Sequence, residues 1–341
     1  LSEKELLLVT YKASETRYSD MIYNYCGKSG LKLPAVSLGL FRSFSKADGY
    51  DNPRELIQTA FDHGITHFDI ANNYGNGNAE EVFGKILKQD FRGFRDEMII
   101  STKAGYHMWP GPYGDWGSRK YMIASLDQSL KRLDLDYVDI YYSHRHDPNT
   151  PLAETAGALD TVVKQGKALY VGISNYPAKE TKEMAEIFRE LNTPFIIHQP
   201  QYSMLIREPE VELFPVLEDE GIGAIVFQPL FQGLLTSKYV EGIPNDSRVA
   251  KKIEYFSADD VSRKRIAKVK KLMEIAEARN QTMAQLAIAW VLRQKAVVSA
   301  LIGASKKEQL IENIGAINHL SFTEEELSAI DGILNTSEES L

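Results

Sequence analysis

FDHGITHFDI, residues 61–70, changes structural period at its glycine. Before Gly64 the chain reads as the end of a helix, and after it as a short apolar strand. A glycine just past a helix supplies a left-handed turn at low steric cost and lets the chain enter a strand. The same junction recurs in VVKQGKALYVGI (162–173) and LEDEGIGAIVF (217–227). Elsewhere apolar residues fall at helical spacing: Ile123, Leu126, Leu130 and Leu133; Met184, Ile187, Phe188 and Leu191; Leu310, Ile311, Ile314 and Ile317. Strands read at 36–39, 66–70, 98–103, 137–142, 168–173, 196–199, 223–227 and 299–302 give about eight β-then-α units. Strict alternation with short connections predicts a parallel sheet covered by helices. Eight units favour closure into an α/β TIM barrel, (β/α)8, over an open doubly wound sheet.

Ahead of the first unit, YNYC-GKSG-LKLP predicts an N-terminal β-hairpin placed to plug the barrel bottom. No Pro/Gly/Ser-rich linker divides the sequence, so one barrel domain is expected over 21–341, preceded by an N-terminal arm at 1–20. Two connections are long, 104–120 and 228–260, and long loops inside a compact domain are usually functional.

Bulk composition narrows the partners. With 43% hydrophobic and 25% charged residues, the chain has the make-up of an ordinary globular protein. Its net charge of −8 has the wrong sign for a nucleic-acid or anionic-membrane binder, so neither partner is expected. Cys26 is the lone cysteine, which excludes an intrachain disulfide and a multi-Cys zinc site and suits a reducing compartment. The apolar run Leu6 to Val9 is too short for a signal sequence, and no window approaches a membrane span. A cytoplasmic location is the expectation.

In such a barrel the active site lies at the C-terminal ends of the strands. Asp69 ends the second strand, Tyr74 follows in its loop, Lys103 ends the third strand and His144 ends the fourth. Each alone has a bland reading: a helix cap, a solvated lysine, a structural histidine. Together at one rim they suit carbonyl reduction. Hydride arriving at a carbonyl carbon puts negative charge on oxygen, and a positioned acid must neutralise it. A tyrosine starts at a pKa of about 10, and a nearby ammonium lowers it by favouring phenolate. Lys103 is placed for that role, Asp69 to hold Lys103 charged, and His144 to hydrogen-bond the carbonyl oxygen.

Here the sequence resembles the aldo-keto reductases, from about Tyr23 to Leu334. The likeness runs through HFDIANNYGNGNAEEVFG (67–84), ISTK (100–103), YSHR (142–145), GISN (172–175), HQPQY (198–202), FQPLFQGLLTSKY (227–239) and LIGASKKEQLIENI (301–314). The family's tetrad falls on Asp69, Tyr74, Lys103 and His144 without substitution. The resemblance implies NADPH as cofactor, its nicotinamide carboxamide held by Ser174, Asn175 and Gln199 and its ring stacked on Phe227. It implies a strap over the pyrophosphate at 228–238, with Gln228, Leu230, Gly233 and Lys238, and places Arg248 near the 2′-phosphate. Gly303, Ser305, Gln309, Glu312 and Asn313 match the adenosine end. Many relatives carry Arg where this chain has Gln309, which leaves the 2′-phosphate charge to Lys238 and Arg248. A plainer reading of SKKEQLIENI, compatible with that one, is an amphipathic helix capped by Ser305.

Three decoys compete with these readings. Gly75-Asn76-Gly77-Asn78-Ala79-Glu80 imitates a dinucleotide fingerprint, but Glu in its sixth position would crowd and repel a pyrophosphate. His144, Arg145 and His146 suggest a metal, yet a third ligand is missing and no metal is expected. His198 reads as a satisfied barrel histidine.

Within the family, KAGYHMWPGPYG (103–114), SRKY (118–121), YSHR and GIPNDSR (242–248) are most similar to bacterial L-glyceraldehyde-3-phosphate reductases, with the potassium-channel beta subunits in the wider neighbourhood. The expected substrate is a short phosphorylated or dicarbonyl aldehyde, such as glyceraldehyde 3-phosphate or methylglyoxal. Phe41, Tyr106, Trp109 and Arg145 are the candidate substrate residues; the loop aromatics have the alternative reading of packing the loop on the rim. The channel-subunit likeness implies a homo-oligomer, a tetramer or octamer. It also keeps open an NADP-binding regulatory barrel with little turnover, although that branch commonly has Asn where this chain has His144. A Schiff-base aldolase using Lys103 is the third reading.

Overall fold

The computed structural model describes residues 11–41, 44, 49–244 and 261–336. A hairpin, β1 (Tyr23–Tyr25) and β2 (Lys32–Pro34), precedes eight parallel strands: β3 (Val36–Gly39), β4 (His67–Asp69), β5 (Ile99–Ala104), β6 (Val138–Ser143), β7 (Ala168–Ser174), β8 (Phe195–Gln199), β9 (Gly223–Phe227) and β10 (Val297–Ile302). These close in the order β10-β3-β4-β5-β6-β7-β8-β9, the expected barrel. The outer helices are α1 (Asp51–Asp62), α2 (Asn78–Ile86), α3 (Arg119–Leu133), α4 (Leu152–Lys164), α5 (Ala178–Leu191), α6 (Leu213–Glu220), α7 (Arg263–Ala278), α8 (Met283–Leu292), α9 (Lys307–Ile314) and α10 (Glu324–Asn335). The last strand begins at Val297 rather than 299, and its register with β9 shifts between Val297 and Ser299. Such an irregularity blurs the apolar pattern from which a strand start is read.

The three helix-to-strand junctions have the backbone their glycines predict, with φ of +83° at Gly64, +72° at Gly166 and +73° at Gly221. The hairpin closes the barrel bottom. Cys26 is fully buried there and its thiol donates to the Ile196 carbonyl at 3.2 Å, while Asn24 donates to the Val298 carbonyl at 2.9 Å. Inside the barrel Leu33, Ile140, Tyr142, Ile197, Ile225 and Leu301 form an apolar layer, so the bore is a packed core rather than a pore. Residues 11–20 lie along the wall: the Tyr11 hydroxyl and the Ser14 amide both donate to Asp62 at 2.7 Å, and Arg17 pairs with Glu97.

Gly27 is the tightest point of this closure. It sits at φ +57°, and a β-carbon there would lie 2.0 Å from the Gly221 carbonyl oxygen, which already accepts from the Lys28 amide at 2.8 Å. Gly27→Ala combines a left-handed L-residue with a backbone collision, and is expected to destabilise the fold by about 2–4 kcal/mol. The check is the urea midpoint of the variant; an unchanged midpoint would show that the hairpin contributes nothing to closure.

Candidate active site

The mouth is built from the ends of β4, β5 and β6. Asp69 is the last residue of β4, and Lys103 sits opposite Tyr142 in the β5–β6 register. Both are fully buried. The Lys103 ammonium donates to Asp69 Oδ2 at 2.5 Å, to the Ile70 carbonyl at 2.8 Å and to the Tyr74 hydroxyl at 3.4 Å. An ammonium has three hydrogens, and each has its acceptor. Asp69 Oδ1 receives Ser101 Oγ at 2.6 Å and Gln199 Nε2 at 3.2 Å.

Tyr74 is brought to this pair by a turn that only a glycine-rich stretch makes easily. Gly75, Asn76 and Gly77 all have positive φ, at 57°, 54° and 90°. Behind it, Glu80 is fully buried and accepts from Thr102 Oγ1 and Arg132 Nε, each at 2.6 Å. The glutamate that spoils the dinucleotide fingerprint is therefore a brace tying α2 to β5 and α3.

Burial pulls the Lys103 ammonium down, but Asp69 and Tyr74, through charge and hydrogen bonds together, more than offset this and hold its pKa above the ordinary lysine value. A lysine so protonated has no free lone pair for Schiff-base attack. Tyr74 departs from the expectation of an acidified phenol. Burial raises its pKa, Lys103 pulls it back, and the net position is above 10.0. The ammonium lies 2.5 Å from Asp69 and 3.4 Å from the phenol, so much of its charge is already committed. Its effect is to restrain the rise rather than to reverse it.

His144 directly follows β6. Burial, followed by the charges of Lys103 and Arg145, drives its pKa well below 6.5, so the imidazole is neutral. Its ring stands edge-on to Tyr106, with centroids 4.7 Å apart, and 6.0 Å from the Tyr74 ring. Its Nδ1 is buried without a hydrogen-bond partner. His198 is half of what a satisfied histidine should be: Nε2 meets the Tyr176 carbonyl at 3.2 Å, Nδ1 has no partner, and burial takes its pKa down to about 4.

Of the residues expected to hold a cofactor, Ser174, Asn175 and Gln199 lie together at the ends of β7 and β8. Ser174 donates to the Gln199 carbonyl at 2.8 Å, and Asn175, at φ +55°, donates to the His144 carbonyl at 3.1 Å. Phe227 ends β9. After it Gln228, Phe231, Gln232 and Gly233 have positive φ, which gives the segment that includes Leu230 an irregular backbone. Lys238 follows on an exposed short turn. Arg248 lies outside the described residues. Gly303, Ser305, Gln309 and Glu312 are exposed around the start of α9, and Asn313 is buried. The expected serine cap is not made: Lys306 occupies the N-cap position of α9 without a side-chain bond. Ser305 instead donates through its hydroxyl, at 2.9 Å, and its amide, at 3.2 Å, to Gln309 Oε1. The helix begins one residue later than the cap reading needs, so Ser305 lies just outside the N-cap and its hydroxyl is turned to Gln309.

Next to the tyrosine, the Phe41 ring lies 4.7 Å from that of Tyr74. Trp109 packs at 5.1 Å on Tyr121, whose hydroxyl donates to the Tyr106 carbonyl at 2.5 Å. Arg145 donates to the Gly105 carbonyl and to Asp115, both at 2.7 Å, with its guanidinium 3.5 Å from the Trp116 ring and 4.4 Å from that of Tyr106. Asp115 and Trp116 were missed in the sequence; a tryptophan inside a long mouth loop was the available signal.

Comparison with known proteins bears on the same residues. Residues 35–335 match the model of the Aldo/keto reductase family. The chain belongs to the aldo/keto reductase family. Its chemistry is accordingly the NADPH-dependent reduction of small carbonyl compounds. This aldo/keto reductase is 52% identical, over 95% of both chains, to the L-glyceraldehyde 3-phosphate reductases of Escherichia coli strains K12 and O157:H7. It is 37% identical, over 92% of this chain and 93% of that protein, to a putative voltage-gated potassium channel subunit beta from Schizosaccharomyces pombe. Among the described residues, no helix is long and apolar enough to cross a membrane.

Proposed function

We propose that this reductase acts on a short phosphorylated or dicarbonyl aldehyde, L-glyceraldehyde 3-phosphate or methylglyoxal, with Tyr74 as the proton donor. The observation that carries the proton-donor role is the set Asp69–Lys103–Tyr74, a fully buried ion pair whose ammonium faces the half-buried phenol at 3.4 Å. NADPH supplies the hydride when bound. The donor set suits such a group: Ser174, Asn175 and Gln199 offer a hydroxyl and two carboxamides for an amide-bearing ring, and Phe227 a flat face. Beyond them the backbone of 228–233, Lys238 and the start of α9 suit phosphates and the adenosine end.

Tyr74 releases its hydroxyl proton to the substrate oxygen as negative charge develops there. Lys103 stabilises the phenolate left behind, and Asp69 keeps Lys103 protonated. His144, neutral, donates a hydrogen bond that orients the carbonyl without competing as the acid. Phe41 and Tyr106 flank Tyr74 and His144 and suit a narrow pocket. Arg145 is largely engaged by Asp115 and Gly105, so its attraction for a substrate phosphate acts at longer range. The retained His144 favours turnover over a purely regulatory barrel.

The test is catalytic efficiency across an aldehyde panel, with NADPH and NADH compared. Triose phosphate and methylglyoxal are expected to exceed bulky aromatic or steroid carbonyls by at least about tenfold, a difference of about 1.4 kcal/mol in transition-state binding. A preference for the bulky carbonyls would remove the substrate assignment.

A further inference from the structure

Beneath the tetrad lies a second, wholly buried polar chain that sequence reasoning passed over. Ser299 on β10 and Ser37 on β3 share a hydrogen bond of 2.6 Å. Ser37 Oγ meets His67 Nδ1 at 2.9 Å, His67 Nε2 meets Ser101 Oγ at 3.0 Å, and Ser101 donates to Asp69 at 2.6 Å. Ser299, Ser37, His67, Ser101, Asp69 and Lys103 are all fully buried. The line thus crosses four neighbouring strands, β10, β3, β4 and β5, to end on the carboxylate that holds the catalytic ammonium.

We infer that His67 and Ser101 are positioning residues for the reduction, a one-way hydrogen-bond chain that spreads the charge of Asp69 and so frees Lys103 to support Tyr74. The direction follows from counting hydrogens. Asp69 carries the negative half of the ion pair and only accepts, so the single hydroxyl hydrogen of Ser101 points at it. Ser101 must then accept from His67, which fixes the proton on Nε2. Nδ1 accepts from Ser37, and Ser37 accepts from Ser299. Burial, partly opposed by Asp69 and reinforced by Lys103, takes the His67 pKa down to about 4, consistent with a neutral ring. With every bond directed toward Asp69 and its far end sealed in the barrel, the chain orients and polarises; it has no source from which to conduct a proton.

Its consequence is felt at Tyr74, which faces Lys103 and Asp69 from β5 and β4 and the Tyr106 and His144 rings from the loops beyond β5 and β6. Each donor on Oδ1 weakens the hold of Asp69 on the ammonium. When the Tyr74 proton leaves, Lys103 can then shift toward the new phenolate. Without Ser101 the ammonium stays with Asp69, the phenolate is less stable, and the pKa of Tyr74 climbs further. The inference rests on the proposed role of Tyr74, and its tests separate the two.

Ser101→Ala is expected to lower kcat about tenfold with KM changed less than about twofold. The rise of NADP+-dependent alcohol oxidation with pH, which follows phenolate formation, is expected to move up by about one pH unit, and Ser101→Thr to restore both. A variant that merely loosens packing would lose active protein and leave the pH profile in place. Nitrogen-15 spectra of histidine-labelled wild type give a readout independent of activity: His67 should be the neutral Nε2–H tautomer throughout the range of activity. An Nδ1–H or doubly protonated His67, or a wild-type kcat and pH profile in Ser101→Ala, would overturn the inference. Should Tyr74→Phe stay active, the proton-donor role itself fails, whatever the Ser101 variants do.

Discussion

Tyr74→Phe is expected to lower kcat/KM for aldehyde reduction by about 10²–10⁴-fold, the usual contribution of a positioned general acid, while NADPH binding stays within about threefold of wild type. The variant keeps the ring, its contact with Phe41 and its place beside His144, and removes only the hydroxyl. Stopped or steady consumption of NADPH at fixed aldehyde, with cofactor titrated by fluorescence quenching, measures both quantities. The pH dependence follows from the same geometry. Reduction needs the protonated phenol, and burial holds its pKa above 10.0 despite Lys103. Activity limited by Tyr74 is therefore flat through neutrality and declines only once pH passes that raised value. Alcohol oxidation needs the phenolate and climbs with pH over the same range. A reduction rate already halved at pH 8 would contradict the burial of this phenol, and a phenylalanine variant with wild-type activity would remove Tyr74 as the acid.

The fold was legible because its signal is repetitive. Gly64, Gly166 and Gly221 mark the same helix exit, and the short apolar strands after them have no alternative but a shared interior. The four candidate residues could be picked out together because each sits at a strand end or just beyond, where a barrel gathers its side chains into one mouth. What the sequence concealed are balances between competing terms. Tyr74 was expected to be acidified, yet desolvation outweighs an ammonium whose charge is shared with Asp69. Ser305 was expected to cap α9, yet the helix starts one residue later, with Lys306 at the N-cap. His67 and Ser101 carry no motif of their own, and their alignment with Asp69 depends on the stagger of β3, β4 and β5, which no linear pattern reports. Arg145 was expected to meet the substrate, and nothing in its own surroundings along the chain reported that Asp115 and Trp116 would engage its guanidinium.

The pair Lys103–Asp69 allows stability and catalysis to be pulled apart. Both side chains are fully buried at 2.5 Å. Lys103→Met removes the cation and leaves a buried carboxylate with Ser101 and Gln199 as its partners among the described residues, and is expected to destabilise the fold by about 3–5 kcal/mol. Desolvating one unpaired charge is the dominant cost, not the loss of an attraction, so removing the second charge should recover most of it. Lys103→Met combined with Asp69→Asn is accordingly expected to regain at least half of the lost stability in urea unfolding, because Asn is close to isosteric and keeps an acceptor for Ser101. Activity must not follow. In both variants the phenolate left on Tyr74 has no cation beside it, and reduction should remain about 10³-fold or more below wild type. A double variant as unstable as the single one would mean that packing around Lys103 governs the fold; a double variant that reduces aldehydes would mean that the ammonium is dispensable to the chemistry.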